Sequence, residues 1–288
     1  VEVGAETRGA PLAGREVLAQ VKNVIAVASG KGGVAKSTTA VNLAVALQQT
    51  GARVGLLDAD IYGPSVPTMV AIDEEPAPTA DGQIVPARGM GLSLISMGFF
   101  LPAGKAAILR GPMVSGYVTQ FLGNVEWGEL DYLIIDYPPG TGDVQLTLSQ
   151  QAAVTAAVLC TTPQEIALVD VQKAVAMFEA TKVPVLGVVE TMSYFLCDQC
   201  DKEHRIFGSG GGQRVADSVG VPLMGRIPID PRVVAGGDTG RPIVAEEPSS
   251  PAAKAYREVS GAMAAQLSML NLGDDAGALA NFSLDWEA

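Results

Sequence analysis

The chain has 288 residues, 48% apolar but only 5% aromatic, with a formal net charge of −12. This length fits one large domain or two small ones, and a core built from Val, Ile, Leu and Ala suits an α/β fold. The acidic balance, with no run of Lys or Arg, disfavours nucleic acid and anionic membrane surfaces as partners. No stretch of about 18 apolar residues predicts a transmembrane helix. Three cysteines are too few for a disulfide framework, so a reducing cytoplasm is the expected compartment.

Residues 1–22 read as a leader, weakly helical around 15–21, without the basic and apolar regions of a secretory signal. An apolar, β-branched run predicts a strand at 23–29. It is followed by Gly30-Lys31-Gly32-Gly33-Val34-Ala35-Lys36-Ser37-Thr38 and then by a helix to residue 49, stopped by Thr50-Gly51. Strand, glycine-rich loop and helix form the setting in which backbone N–H groups and a helix N-terminus cradle phosphate. In that setting Lys36 reaches the β- and γ-phosphates and the Ser37 hydroxyl sits on Mg²⁺.

A buried strand at 54–57 ends in Asp58-Ala59-Asp60. Two carboxylates beside Mg²⁺ and phosphate can orient an attacking water and tune the metal, with Asp60 as the water-positioning group and Asp58 in support. A solvated Asx-turn is the plainer alternative. Residues 61–82 read as a long loop, 83–85 with 92–96 as a short hairpin, and 113–122 as a helix. A third buried strand, 131–136, ends in Asp136. Followed by Tyr137-Pro138-Pro139-Gly140-Thr141-Gly142-Asp143, Asp136 looks like a Walker B carboxylate that holds Mg²⁺ through water. Capping of the next helix is the competing role.

Helices are predicted at 144–153 and 166–181, and strands at 156–160 and 185–189. Residues 191–212 read as an irregular excursion carrying Cys197-Asp198-Gln199-Cys200. Cysteines at this spacing chelate a metal centre or form a redox pair. Two per chain make only half of a tetrathiolate site, so a cluster or zinc would be shared across a two-fold axis; His204 could complete a Cys₂His set but reads rather as a surface residue. Cys160 reads as a core residue. The stretch 207–212 could be a hinge, a phosphate nest or a bare link. A helix at 213–219, a strand within 222–227 and a closing helix at 252–270 precede an acidic tail, 272–288, that reads as loose. The β/α alternation predicts a mostly parallel sheet with helices on both faces, in one ATPase domain spanning 23–271. Ligands then bind beyond the carboxyl ends of the strands.

Lys31, directly after the first loop glycine, marks the deviant phosphate loops of the MinD-like ATPases. From residue 23 to 244 the chain resembles the Mrp/ApbC family of iron–sulfur carrier P-loop ATPases. The resemblance rests on 30–39, 58–65, 110–114, 131–147, 162–164, 192–195, Cys197/Cys200, 207–212 and 227–231. It implies a homodimer that binds ATP and holds a [4Fe-4S] cluster between subunits for transfer to apo-proteins. It also implies that Cys197 and Cys200 ligate the cluster, that Lys36, Ser37, Asp60 and Asp136 handle MgATP, and that Lys31 reaches phosphate across the dimer.

Three residues depart from the family pattern: Ala35 where it has glycine, Tyr137 where it usually has leucine, and Thr191 where it has an asparagine that in MinD-like relatives helps read adenine. Slow ATP hydrolysis is the expected result of Ala35. Other readings are a MinD- or ParA-like regulatory ATPase, which the acidic tail disfavours, a zinc-bridged nucleotide-binding dimer, and an electron donor like nitrogenase reductase.

Overall fold

The computed structural model describes residues 18–101, 111–164 and 166–279. β1 (Val21–Ala28) passes through the glycine loop into α1 (Lys36–Gln48), and β2 (Val54–Asp58) follows. Next come α2 (Val66–Met69) and a small ribbon of β3 (Ala77–Pro78) with β4 (Ile84–Val85). Then follow β5 (Ala87–Gly89), β6 (Leu92–Ser96), α3 (Gly111–Gly123), β7 (Leu130–Asp136) and α4 (Asp143–Gln151). β8 (Ala156–Thr161), α5 (Ile166–Ala180) and β9 (Val185–Glu190) lead to a second ribbon, β10 (Phe195–Leu196) with β11 (Glu203–His204). After it come α6 (Gly211–Val219), β12 (Leu223–Arg226), α7 (Pro231–Asp238), α8 (Ile243–Glu246) and α9 (Pro251–Leu279).

The main sheet runs β12-β9-β8-β1-β7-β2-β6-β5. Every pairing is parallel except that of the edge strand β5 with β6. Side chains alternate across it, as the strand period requires. Ile25 and Val27 of β1 join a core with α1, α8 and α9. Val24, Ala26 and Ala28 join a second core with α3, α4, α5 and α6. Both faces are covered, which is why β1, β2 and β7 read as continuous apolar runs. α1 is buried from Thr39 to Leu47 between the sheet and α9, so it lacks the polar face of a surface helix.

β1 is the turning point of the topology. β7 and β2 lie on one side of it, and the chain leaves β7 to lay β8 on the other. Ligand crevices of open α/β sheets form at such a reversal, beyond the strand carboxyl ends.

Several sequence expectations need correction. Residues 61–82 hold α2 and β3, so they are not one long loop. Residues 84–85 pair with 77–78, not with 92–96. β6 is instead a strand of the main sheet, parallel to β2, and its hairpin partner is β5. The connecting pair, Met90 (φ 52°) and Gly91 (φ 75°), has both residues at positive φ, as a type I′ turn requires. The excursion at 191–212 contains the β10–β11 ribbon. α7 and α8 were not foreseen, and α9 runs to Leu279 rather than stopping at 270. β1 begins at Val21, and Leu18 is already in the core. The leader to residue 17, Arg110 of the 110–114 motif and the tail from 280 lie outside the described residues.

Candidate functional site

β1, β7 and β2 are sheet neighbours, and Asp136 is in register with both Val27 and Asp58. The glycine loop and both acid-ended strands therefore meet at one edge of the sheet. Lys36 is the first residue of α1, and its Nζ makes an ion pair with Asp136 Oδ1 and lies 3.2 Å from Ser37 Oγ. Both partners are buried, at 6% and 0% exposure. The other Asp136 oxygen, Oδ2, is buried with no hydrogen-bond partner among the described residues. Burial raises the Asp136 carboxyl pKa, and the Lys36 ammonium opposes that rise. A buried carboxylate oxygen with nothing to accept from suits a site completed by a ligand's cation or donor.

Two loop positions explain their residue type. A Cβ on Gly30 would meet the Asp170 backbone carbonyl at 2.2 Å, so α5 packs directly on the loop. Gly33 has φ 75°, and Ala35, the N-cap of α1, has φ 53° and ψ 33°. The glycine expected at position 35 belongs there on backbone grounds, and alanine holds the left-handed conformation under strain. Ala35 O accepts from both the N–H and the hydroxyl of Thr39. Gly32 and Gly33 are exposed, Lys31, Ser37 and Thr38 are half-buried, and Val34 is buried.

The two carboxylates after β2 separate in role. Asp58 is fully buried, and its Oδ2 accepts from Ser65 N (3.1 Å), Val66 N (3.2 Å) and Ser96 Oγ (2.9 Å), its Oδ1 from Asp60 N (3.1 Å). Burial and the neighbouring Asp136 push its carboxyl up to about 7 against those hydrogen bonds. Asp58 thus organises the 59–66 turn. Asp60, half-buried, accepts from Gly63 N at 3.3 Å and stands closer to solvent.

The 137–142 segment is tied to the loop: Gly140 N donates to Ser29 O at 3.3 Å, and Gln145 Nε2 donates to Pro139 O at 2.8 Å. Tyr137, where the family has leucine, is fully buried against Phe178, with its hydroxyl 3.3 Å from Ser149 Oγ. The larger residue is absorbed by the core beneath α4.

Beside the loop lies an apolar pocket of about 540 Å³, walled by Ala35, Thr38, Met192, Phe207, Ile229 and Val233. No role was read from the sequence for residues 227–238, although Asp230-Pro231 is a legible helix start. Asp230 Oδ1 accepts from Arg232 N, and Pro231 opens α7. Phe207 borders the pocket, and 207–209 are exposed, but a Cβ on Gly211 would meet Pro163 O at 2.2 Å, so the 211–212 end of the stretch is packed.

The cysteines sit at the tip of the β10–β11 ribbon. Cys197 is half-buried and Cys200 exposed, and both are free. The N–H groups of Gln199 and Cys200 and the Cys200 thiol lower the Cys197 thiol pKa, a setting that favours thiolate. His204 pairs with Phe195 in the ribbon. Among the described residues no group of three or more His, Cys, Asp or Glu could hold a metal ion, so His204 completes no Cys₂His set. The ribbon is laced to the pocket wall: Ile227 N donates to Glu190 O (2.8 Å), Ser193 N to Ile227 O (2.9 Å) and Ile229 N to Tyr194 O (2.6 Å). No helix among the described residues is long and apolar enough to cross a membrane.

Residues 20–264 match the ParA family of NUBPL iron-transfer P-loop NTPases. The iron–sulfur cluster carrier protein of Synechocystis is 48% identical over 280 residues, covering 94% of this chain and 79% of that protein. Its Escherichia coli counterpart is 48% identical over 248 residues, covering 86% and 67%. Among solved structures, a nucleotide-binding protein from Archaeoglobus fulgidus in complex with ADP is 38% identical. It superposes with a TM-score of 0.69 over 82% of this chain and 91% of that one. The cell-division ATPase MinD of Pyrococcus furiosus, 22% identical with a TM-score of 0.61 over 84% and 98%, shares the fold.

Proposed function

The chain belongs to the iron–sulfur cluster carrier family of P-loop NTPases, and from that premise we propose that it hydrolyses MgATP and carries a [4Fe-4S] cluster between two copies of itself for delivery to apo-proteins. The observation that carries this reading is the Cys197–Cys200 tip. It presents two thiols, one of them favoured as thiolate, on a ribbon with no third ligand beside it among the described residues. Four thiolates are what a [4Fe-4S] cargo needs, and two chains supply them.

In the nucleotide site the backbone of 30–38 cradles the phosphates, with the N-terminus of α1 behind it. Lys36 exchanges Asp136 for the β- and γ-phosphates. Ser37 holds Mg²⁺ directly and Asp136 holds it through water; the unpartnered Oδ2 supports that assignment. Asp60 positions the attacking water, Asp58 keeps the 59–66 turn in place, and Lys31 reaches the phosphates of the partner copy.

Anaerobic reconstitution with iron and sulfide tests the carrier reading. About two irons and two sulfides per chain are expected, with both lost in a Cys197→Ser/Cys200→Ser variant. Zinc alone, or no metal, would leave a nucleotide-binding protein whose cysteines bridge or do nothing.

A further inference from the structure

We infer that the Cys197–Cys200 tip is also, within a single chain, a two-thiolate site for a soft monovalent cation, Cu(I). This goes beyond the cluster reading and stands without it, because it asks for one copy of the chain instead of two.

The two sulfur atoms converge. The N–H groups of Gln199 and Cys200 and the Cys200 thiol all donate to the Cys197 sulfur, so the sulfurs face each other with the Cys200 hydrogen between them. The turn that brings them together is closed by its backbone. Asp201 N donates to Cys197 O at 2.9 Å, and Cys197 N donates to Lys202 O at 3.0 Å. Asp201 itself completes the turn in the left-handed region, at φ 54°. Below it Phe195 pairs with His204 and Leu196 with Glu203, so the ribbon holds both ends of the turn. The tip is also open. Cys197 is half-buried and Cys200 exposed, and both are free, whereas Cys160 is 1% exposed in the core. A cation arriving from solvent therefore meets one pair of thiols.

The donor count selects the cation. Among the described residues no third His, Cys, Asp or Glu joins the pair. Zn²⁺ seeks four ligands in a tetrahedron and a [4Fe-4S] cluster seeks four thiolates, so one chain by itself satisfies neither. Cu(I) is soft and is selected by thiolate, and its filled d shell accepts two sulfurs in line. The carboxylates of the turn, Asp198 and Asp201, are hard donors that suit Mg²⁺ or Ca²⁺ instead. On binding, two S–H bonds break and two S–Cu bonds form. Two protons pass to solvent, and no electron changes hands. The cation takes the place of the hydrogen between the sulfurs, and it withdraws both thiols from any iron cargo.

The test is anaerobic titration of the reduced full chain with Cu(I) against a chromophoric Cu(I) chelator, without nucleotide, with molecular mass followed by sedimentation. About one Cu(I) per chain is expected, on a species of single-chain mass. Cys197→Ser and Cys200→Ser are each expected to lose the metal to the chelator. Stoichiometry and mass of the wild type decide the question even if a variant fails to fold. Half a copper per chain on paired chains overturns the inference, and so do several coppers per chain or none. Copper retained by either single variant overturns it as well. Copper-loaded protein is then offered iron and sulfide and is expected to take up neither. Iron taken up beside retained copper would remove the cysteines from the cluster reading and leave the copper site standing. Copper bound by a chain that takes up no iron even when copper-free would do the same, so the two readings fail separately.

Discussion

Ala35 shows how one side chain sets the quality of a binding loop. Its left-handed backbone costs an L-residue roughly 1–2 kcal/mol, partly offset because glycine loses more freedom on folding. Ala35→Gly is therefore expected to stabilise the protein by about 0.5–1 kcal/mol, read as a higher urea midpoint at unchanged slope, and to speed ATP hydrolysis. Equal hydrolysis in the two proteins would acquit Ala35. The thiols give a second expectation at this scale. With the Cys197 thiol below its ordinary range and Cys160 pushed up to about 12 by burial, native protein should incorporate two iodoacetamide labels, Cys197 first. Its rate should level off at a lower pH than that of an ordinary thiol. Cys160 should react only after unfolding. Residues of this kind were legible in the sequence because their chemistry is tied to spacing. The strain at Ala35 followed from knowing that glycine belongs there. The pairing of Lys36 with Asp136 did not, since it needs two strand ends and a helix start brought together.

At the scale of elements, close approach decides what is tolerated. α5 lies so near the phosphate loop that Gly30→Ala would drive a methyl into the Asp170 carbonyl, whereas at Gly32 the same methyl meets nothing within 4 Å. Gly30→Ala should cost about 3 kcal/mol and lower the melting temperature by on the order of 6 °C, with Gly32→Ala near neutral. Comparable melting curves for the two variants would contradict this packing. The buried strands β1, β2 and β7 were plain in the sequence because a parallel sheet covered on both faces leaves unbroken apolar runs. The β5–β6 hairpin was not, because its turn uses Met90-Gly91 instead of an Asn-Gly or Asp-Gly signal. The ribbons β3–β4 and β10–β11 are two residues per strand, too short to show alternation. α7 is short and contains Gly236-Gly237, both poor helix formers, although Asp230-Pro231 announces a helix.

Taken whole, the molecule places its chemistry where its chain reverses direction across the sheet, with the glycine loop at the centre and the cysteine ribbon laced to the pocket wall. The alternation of strands and helices foretold this architecture; the strand order and the lacing depended on long-range pairing that no local pattern encodes. The ribbon has one more consequence. Each chain brings half of a four-thiolate set, with no third ligand beside it among the described residues, so on the proposed reading cargo capacity obeys mass action: the loaded species scales with the square of the free chain concentration. Dilution alone should unload the carrier. Serial dilution of reconstituted protein under anaerobic conditions is expected to bleach its iron–sulfur absorbance in step with dissociation into single chains, without any change of nucleotide. Absorbance that survives in the single chain would show that two thiols suffice.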